Sequence, residues 1–118
     1  MIQLFLLKPD FPDERLSLPG QTYYCPDCAR IEGILHYYPF LRDRMEVIYV
    51  DFPRPRGPLA ALLGPMHQDC PALVFSPEDD PWPLSGQFTY AGGRHFTNDT
   101  MVIARFFGEK WGVSLPHP

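Results

Sequence analysis

Residues 23–35, YYCPDCARIEGIL, decide the fold predicted for this chain. Cys25 and Cys28 stand two residues apart, directly before a segment in which apolar side chains recur every three or four positions. That spacing predicts an amphipathic helix that begins beside the cysteines and ends before Pro39. The apolar face of this helix consists of Ile31, Ile34, Leu35 and Tyr38. Two cysteines so close to a helix start form a redox pair, half of a metal site, or two small residues that pack in the interior.

The position of Cys25 favours the redox interpretation. A helix N-terminus carries unpaired N–H groups and the positive end of the helix dipole, so it stabilises a thiolate. Pro26 suits the first helical position, where no N–H is needed, and Cys28 lies about one turn later, within reach of a mixed disulfide at Cys25. Asp27 opposes the thiolate because its carboxylate adds a second negative charge nearby. We therefore expect a reactive Cys25 that is less acidic than a cysteine followed by neutral spacers.

The composition is that of one domain and excludes several classes of partner. The 118 residues fit a single domain over residues 1–118. A net charge of −4 without a basic run argues against nucleic acid or an anionic membrane as partner, and no apolar stretch approaches the ~20 residues that span a bilayer. The N-terminal segment lacks the features of a signal peptide, so the cytoplasm is the expected location. There a close cysteine pair is more often redox-active or metal-binding than a structural disulfide.

Apolar runs along the chain predict the element order β-α-β-α-β-β-α. The four predicted strands cover residues 2–7, 45–52, 73–75 and 88–90, the last one ending at Gly92 and Gly93. The three predicted helices follow Cys25, cover residues 59–66, and follow Asn98 or Asp99 with Gly112 as a stop. The first βαβ unit requires a parallel pair, and the last two strands suit an antiparallel hairpin. We therefore predict an α/β fold with a mixed four-stranded sheet flanked by three helices.

Three segments, in this order along the chain, resemble the thioredoxin-like superfamily, in particular glutaredoxins and the N-terminal domain of glutathione S-transferases. CPDC at residues 25–28 resembles their Cys-Pro-x-Cys, and CPAL at residues 70–73 resembles their Val-Pro-x-Leu, whose proline is cis. DTMVIARFFGEKWG at residues 99–112 is similar to the transferase stretch that runs from Glu-Ser to Lys-Tyr-Gly. A small bacterial family of uncharacterised thioredoxin-like proteins, some with a Cys-Pro-x-Cys, is an alternative placement within the superfamily.

The resemblance implies a glutathione site. In the relatives, the backbone of the residue before the cis-proline pairs with the cysteinyl part of glutathione, a role that falls on Cys70, before Pro71. Their Glu-Ser pair holds the γ-glutamyl end, which falls on Asp99 and Thr100. A helix N-terminus suits such a carboxylate, although the same two residues would cap the helix without any ligand. Tyr24 is expected to form a wall of the cleft or to pack under the preceding loop. Candidate cations for the glycine carboxylate are Lys8, Arg54 and Arg56.

Cys70 adds a third thiol, a further catalytic candidate that would trap a disulfide, tune the Cys25–Cys28 pair or bind a metal. His67 and Cys70 form a His-x-x-Cys, so Cys25, Cys28, His67 and Cys70 make two ligand pairs of zinc-like chemistry. The stretch between the two pairs exceeds the spacing of ordinary zinc fingers, so only the fold could bring them together. Three sulfurs without His67 would suit an iron–sulfur cluster shared across a homodimer.

The leading hypothesis is a thiol–disulfide oxidoreductase of glutaredoxin type. Cys25 would attack, Cys28 would resolve, and glutathione or a protein thiol would be the partner, with no bound cofactor. The transferases' helical second domain has no counterpart in the chain, so conjugation to electrophiles is not expected. The alternative is a non-catalytic module that binds a metal or a thiol ligand through Cys25, Cys28 and Cys70.

Overall fold

The computed structural model describes residues 1–118 and has an α/β architecture with three helices and a mixed sheet. The elements follow one another as β1 (Gln3–Leu7), α1 (Pro26–Tyr37), β2 (Glu46–Val50), α2 (Gly57–Leu63), β3 (Ala72–Val74), β4 (Thr89–Ala91), β5 (Arg94–Thr97) and α3 (Thr100–Trp111). Short 3₁₀ turns occupy Pro39–Asp43 and Ser85–Gln87. None of the three helices has the length and apolar character that crossing a membrane requires.

The sheet has five strands in the order β2-β1-β3-β5-β4. β1 and β2 are parallel over their whole length, with Gln3 opposite Glu46 and Leu7 opposite Val50. The other three pairs, β1 with β3, β3 with β5 and β5 with β4, are antiparallel. Because β1 and β2 are parallel, their C-terminal ends lie at the same edge of the sheet, and α1 begins at that edge.

The core forms around β1, whose apolar run is buried on both faces. Leu4, Phe5 and Leu6 have no exposed surface, so packed layers cover both sides of the sheet. Farther along the sheet the core is aromatic, with edge-to-face contacts from Phe75 to Phe106 at 5.1 Å and from Phe106 to Trp111 at 5.5 Å. The Phe75–Phe106 contact attaches α3 to the end of β3, and the Phe106–Trp111 contact lies within α3; aromatic pairs add stabilisation beyond the area they bury.

The sheet corrects the predicted strand count from four to five. Gly92 and Gly93, expected to stop the last strand, form a hairpin turn with positive φ values of 61° and 76°. The turn returns the chain into β5, so the partner of β3 is β5, and β4 lies at the outer edge. Only glycine fits at position 92, because a Cβ at this position would lie 2.2 Å from the carbonyl oxygen of Leu62.

The second helix is shorter than predicted. It ends at Leu63, and Gly64, with a φ of 87°, turns the chain away before the predicted end of the helix at residue 66. Met66 consequently lies outside the helix and is 85% exposed. The apolar spacing that included Met66 was coincidental, and only Leu59 and Leu63 are buried.

The two long helices begin and end as the sequence predicts. Cys25 is the N-cap of α1, with Pro26 in the first turn, and Tyr38 is its C-cap. Asp99 is the N-cap of α3, and Gly112 closes it in the left-handed conformation with a φ of 75°. These ends place two helix N-termini in well-defined positions, one carrying a thiol and the other a carboxylate.

Residues 8–22, which lie between β1 and α1, form a loop that is anchored to the rest of the fold. Phe11 and Tyr23 form an isolated antiparallel bridge through two backbone hydrogen bonds of 2.8 and 3.1 Å. The ring of Phe11 stacks on that of Phe52, with 4.3 Å between ring centroids. The bridge and the ring stack therefore fix the position of Tyr23, two residues before Cys25.

Candidate functional site

Cys25 and Cys28 occupy positions of very different accessibility. The Sγ of Cys25 accepts a hydrogen bond of 3.2 Å from the backbone N–H of Cys28, as an N-cap oxygen would in other helices. Cys25 is half-buried, whereas Cys28 is only 4% exposed and its Sγ accepts a 3.5 Å hydrogen bond from the backbone N–H of Leu7. Of these two thiols, only Cys25 is accessible to solvent, and Cys28 lies behind it against the end of β1.

The surroundings of Cys25 lower its pKa to about 6. The largest cause is a hydrogen bond from the thiol of Cys28, supported by the backbone N–H groups of Cys28 and Asp27. Burial and the carboxylate of Asp27 act in the opposite direction, so Asp27 opposes the thiolate as expected, but more weakly than the hydrogen bonds favour it. A thiol with this pKa is mostly thiolate at neutral pH, which is the nucleophilic form.

The same hydrogen bond raises the pKa of Cys28. Its thiol donates a hydrogen bond to Cys25 and is buried, and both effects favour the protonated form. The backbone N–H of Leu7 acts the other way. The pair therefore holds one negative charge, and that charge resides on the accessible sulfur.

The segment Cys70–Pro71 lies against Cys25. The peptide bond between these two residues is cis, and the carbonyl oxygen of Cys70 lies 3.6 Å from the Sγ of Cys25. Burial raises the pKa of the Cys70 thiol to about 11, so this third cysteine is protonated at neutral pH. The contact with Cys25 uses the Cys70 backbone, and the Cys70 thiol itself is a poor nucleophile.

The residues predicted as metal ligands do not form a metal-binding group. No set of three or more His, Cys, Asp and Glu side chains, including Cys25, Cys28, His67 and Cys70, has an arrangement that could hold a metal ion. The ring of His67 packs on Phe96 instead, with 4.9 Å between ring centroids.

Asp99 and Thr100 lie at the start of α3, close to the Cys70 segment. Oδ1 of Asp99 accepts hydrogen bonds from the backbone N–H groups of Met101 and Val102, at 2.9 and 3.1 Å. The side chain of Asn98 donates a 2.7 Å hydrogen bond to the carbonyl of Asp69, which ties this corner to the residue before Cys70. Asp99 therefore caps the helix, and two of the N–H groups that a ligand carboxylate would use are already occupied.

A cleft of about 340 Å³ opens beside Cys25 and Cys28. Its walls are mainly apolar and aromatic, and Tyr24, which is 63% exposed, forms one of them. The other apolar and aromatic contributors are Leu7, Pro9, Ala29 and Tyr49. Apart from Tyr24, these residues were not predicted, because they come from β1, the following loop, α1 and β2 and share no sequence motif.

Two carboxylates line the same cleft. Glu32 bonds Arg42 at 3.0 Å and also accepts a hydrogen bond from the hydroxyl of Tyr49, so its charge is compensated. Asp10 has no hydrogen-bonding or ionic partner among its neighbours, and its φ of 65° is the only positive value at a non-glycine residue. Asp is among the residues that tolerate this conformation, but it still costs free energy relative to glycine.

The cations proposed for a glutathione carboxylate already have partners. Lys8 pairs with Asp51 at 3.2 Å, and Arg54 pairs with Asp69 at 2.7 Å. Arg56 is only 6% exposed, and its guanidinium donates 2.8 Å hydrogen bonds to the carbonyls of Phe52 and Gln68. These pairings depend on the fold and could not be predicted from the sequence.

Comparison with known proteins places the chain in a family. Neither the curated proteins nor the solved structures include a significant match to this chain. A family model described as "Protein of unknown function (DUF3088)" matches residues 2–115, which is almost the whole chain. The protein with this cysteine pair at the start of α1 therefore belongs to the DUF3088 family.

Proposed function

We propose that this protein is a thiol–disulfide oxidoreductase with a thioredoxin-like fold, in which Cys25 is the nucleophile and Cys28 the resolving thiol. The observation that carries the proposal is the pairing of an accessible thiol of lowered pKa, at a helix N-terminus, with a buried thiol one turn away. Thiolates at such positions are the reactive form in disulfide exchange. Glutathione or a protein dithiol would return the oxidised protein to its reduced form.

Topology supports the thioredoxin-like part of the proposal. The four strands β2-β1-β3-β5 have one parallel and two antiparallel pairings, and α1 follows β1 with the cysteine pair at its start. Pro71 has a cis peptide bond and directly precedes β3, and its preceding residue contacts Cys25. The outer strand β4 would be an addition to that core.

The reaction would proceed by two exchanges. The thiolate of Cys25 attacks one sulfur of the substrate disulfide, the substrate S–S bond breaks, and the departing thiolate takes a proton from water. Cys28 then loses its proton and attacks the Sγ of Cys25, which releases the second substrate thiol and leaves a Cys25–Cys28 disulfide. The substrate gains two electrons and two protons; both electrons and the proton of Cys28 come from the protein, and the other proton comes from water.

The geometry around Cys28 suits its role in the second step. Before the reaction, its thiol donates a hydrogen bond to Cys25, and this bond is the main reason why the pKa of Cys28 is raised. Once Cys25 carries a substrate sulfur, its negative charge is gone and that cause disappears. The backbone N–H of Leu7, 3.5 Å away, remains to stabilise the thiolate of Cys28 as it forms.

Reduction of a disulfide with dithiothreitol as the terminal reductant tests the proposal. The wild type should accelerate the reaction, Cys25→Ser should not, and Cys28→Ser should accumulate a mixed disulfide at Cys25 that intact-mass measurement detects. Cys70→Ser is the matched control, since it removes a thiol of the same chain that the mechanism does not use. Equal and negligible rates for the wild type and Cys25→Ser would show that the protein is not an oxidoreductase.

A further inference from the structure

We infer that the substrate of Cys25 is a disulfide in a peptide or protein that presents an apolar side chain and a cationic side chain beside the disulfide, rather than glutathione. This inference rests on the proposed oxidoreductase function. It follows from the shape, the lining and the charge of the cleft next to Cys25.

The cleft accommodates an apolar group next to the reacting sulfur. It has a volume of about 340 Å³ and is lined by both Cys25 and Cys28, so whatever fills it lies beside the disulfide under attack. Leu7, Pro9 and the ring of Tyr24 contribute apolar surface to its walls. A cavity of this size, at the lower end of the range for ligand sites, holds one or two aliphatic or aromatic side chains.

The charge on the cleft is negative. The carboxylate of Asp10 lines it without any partner, and no lysine or arginine is among its lining residues. Asp27, next to Cys25, is exposed and meets Arg30 only at 3.5 Å, a distance at which exposed charges interact weakly. The thiolate of Cys25 adds a further negative charge. A cation on the substrate would therefore be attracted to this site, and a carboxylate would be repelled.

The cations and N–H groups expected to bind the carboxylates of glutathione are occupied. Lys8 and Arg54 are in ion pairs, and Arg56 is buried against two carbonyls. At the start of α3, Asp99 already accepts from two N–H groups and brings its own negative charge. Glutathione carries two carboxylates and one amino group, so its binding would leave at least one carboxylate without a partner.

The experiment compares two synthetic peptides that each contain one intramolecular disulfide flanked by leucine. They differ at a single position beside the disulfide, which is lysine in one and glutamate in the other, and dithiothreitol is the reductant. We expect kcat/KM for the lysine peptide to exceed that for the glutamate peptide by at least about fivefold at low salt. The ratio should fall toward one in 0.5 M NaCl, because salt screens charges that are exposed to solvent.

Asp10→Asn isolates the contribution of the cleft. Asparagine keeps the shape and tolerates the positive φ, so the variant loses only the charge. We expect it to reduce the lysine-to-glutamate ratio by about threefold. Glu109→Gln is the matched control, because it removes one exposed carboxylate at the far end of α3 from Asp99 and should leave the ratio unchanged.

The possible results separate this inference from the proposed function. Equal rates for the two peptides, an Asp10→Asn ratio identical to that of the wild type, or faster turnover of a glutathione mixed disulfide than of the lysine peptide would overturn the inference while leaving the oxidoreductase function intact. Failure to accelerate reduction of either peptide and of a glutathione mixed disulfide would overturn both.

Discussion

The N-termini of α1 and α3 have nearly the same backbone geometry but different chemistry. Cys25 caps α1 with φ −77° and ψ 115°, and Asp99 caps α3 with φ −79° and ψ 114°. In both, a side-chain atom accepts hydrogen bonds from backbone N–H groups of the first turn. The local structure at the start of each helix is therefore equivalent, and only the capping atom differs.

The difference shows how one structural device can support either stability or reactivity. The Asp99 carboxylate accepts hydrogen bonds from the N–H groups of α3 and so stabilises the helix. A thiol at the same position ionises within the physiological range, and the stabilisation that it gains from the helix appears as a lowered pKa. The proposed function depends on this contrast, and four measurements test it.

The largest effect is expected for Cys25→Ser. Serine is itself a preferred N-cap, so we expect the free energy of unfolding to change by less than about 1 kcal/mol. Disulfide reduction should fall by about 100-fold or more, to the uncatalysed rate, because the hydroxyl does not ionise or attack sulfur under these conditions. Denaturant unfolding and a reduction assay on the same sample check both parts. Retention of a tenth of the activity would mean that Cys25 is not the nucleophile.

The second effect is the pH dependence of alkylation at Cys25. Its pKa of about 6 lies below the ordinary value of a free thiol, so the thiolate is present above pH 6 and is lost as the pH falls through this value. The rate of reaction with iodoacetamide should therefore be nearly constant above pH 7 and about tenfold lower at pH 5. Peptide mass mapping identifies the labelled cysteine. A midpoint near pH 8.5 would show that the helix N-terminus does not activate this thiol.

The third effect concerns stability at the other helix. Asp99→Ala removes the acceptor for the N–H groups of Met101 and Val102, which should lower the free energy of unfolding by about 1 kcal/mol. Asp99→Asn is the matched control, because asparagine caps helices about as well as aspartate. It should lower the free energy of unfolding by only about 0.3 kcal/mol. Urea unfolding of the three proteins measures the difference. Identical midpoints for the alanine variant and the wild type would argue that the cap contributes nothing.

The smallest effect tests the residue that opposes the thiolate. Asp27 raises the pKa of Cys25 through its charge, so Asp27→Asn should lower the midpoint of the alkylation profile by about 0.3 pH units. The shift is small because the carboxylate is exposed and water screens it. Glu109→Gln, with the same change of charge at a distant position, should leave the midpoint where it is. An upward shift on replacing Asp27 would contradict the electrostatic account of this site.

Sequence reasoning predicted the ends of the two long helices better than it predicted the sheet or the end of α2. Caps and stops are local, so Cys25, Asp99 and Gly112 could be identified from their immediate neighbours. The fifth strand was missed because Gly92 and Gly93 were interpreted as the end of a strand, although a Gly-Gly pair is also a hairpin turn signal. Strand β5, RHFT, begins with a charged residue and a histidine, and its strand character comes from pairing with β3 and β4.

The cysteines of the site could be predicted from the sequence, but the residues that line the cleft could not. The sequence shows the spacing of Cys25 and Cys28, and it shows Pro71, which lies near them in the folded chain. Asp10 and Tyr49 reach the same cleft only because β1 and β2 are parallel and adjacent and the loop after β1 turns at Asp10. Such placements depend on register and backbone conformation, which residue types alone do not specify.

The packing of Trp111 has a practical consequence for spectroscopy. Its indole lies 5.5 Å from the ring of Phe106 and 5.9 Å from that of Phe107, whereas Trp82, the other tryptophan, is 74% exposed in the segment before β4. Replacing Trp82 with phenylalanine would leave the half-buried Trp111 as the only tryptophan. Its emission maximum would then report whether the C-terminal helix stays docked while the cysteine pair is oxidised and reduced.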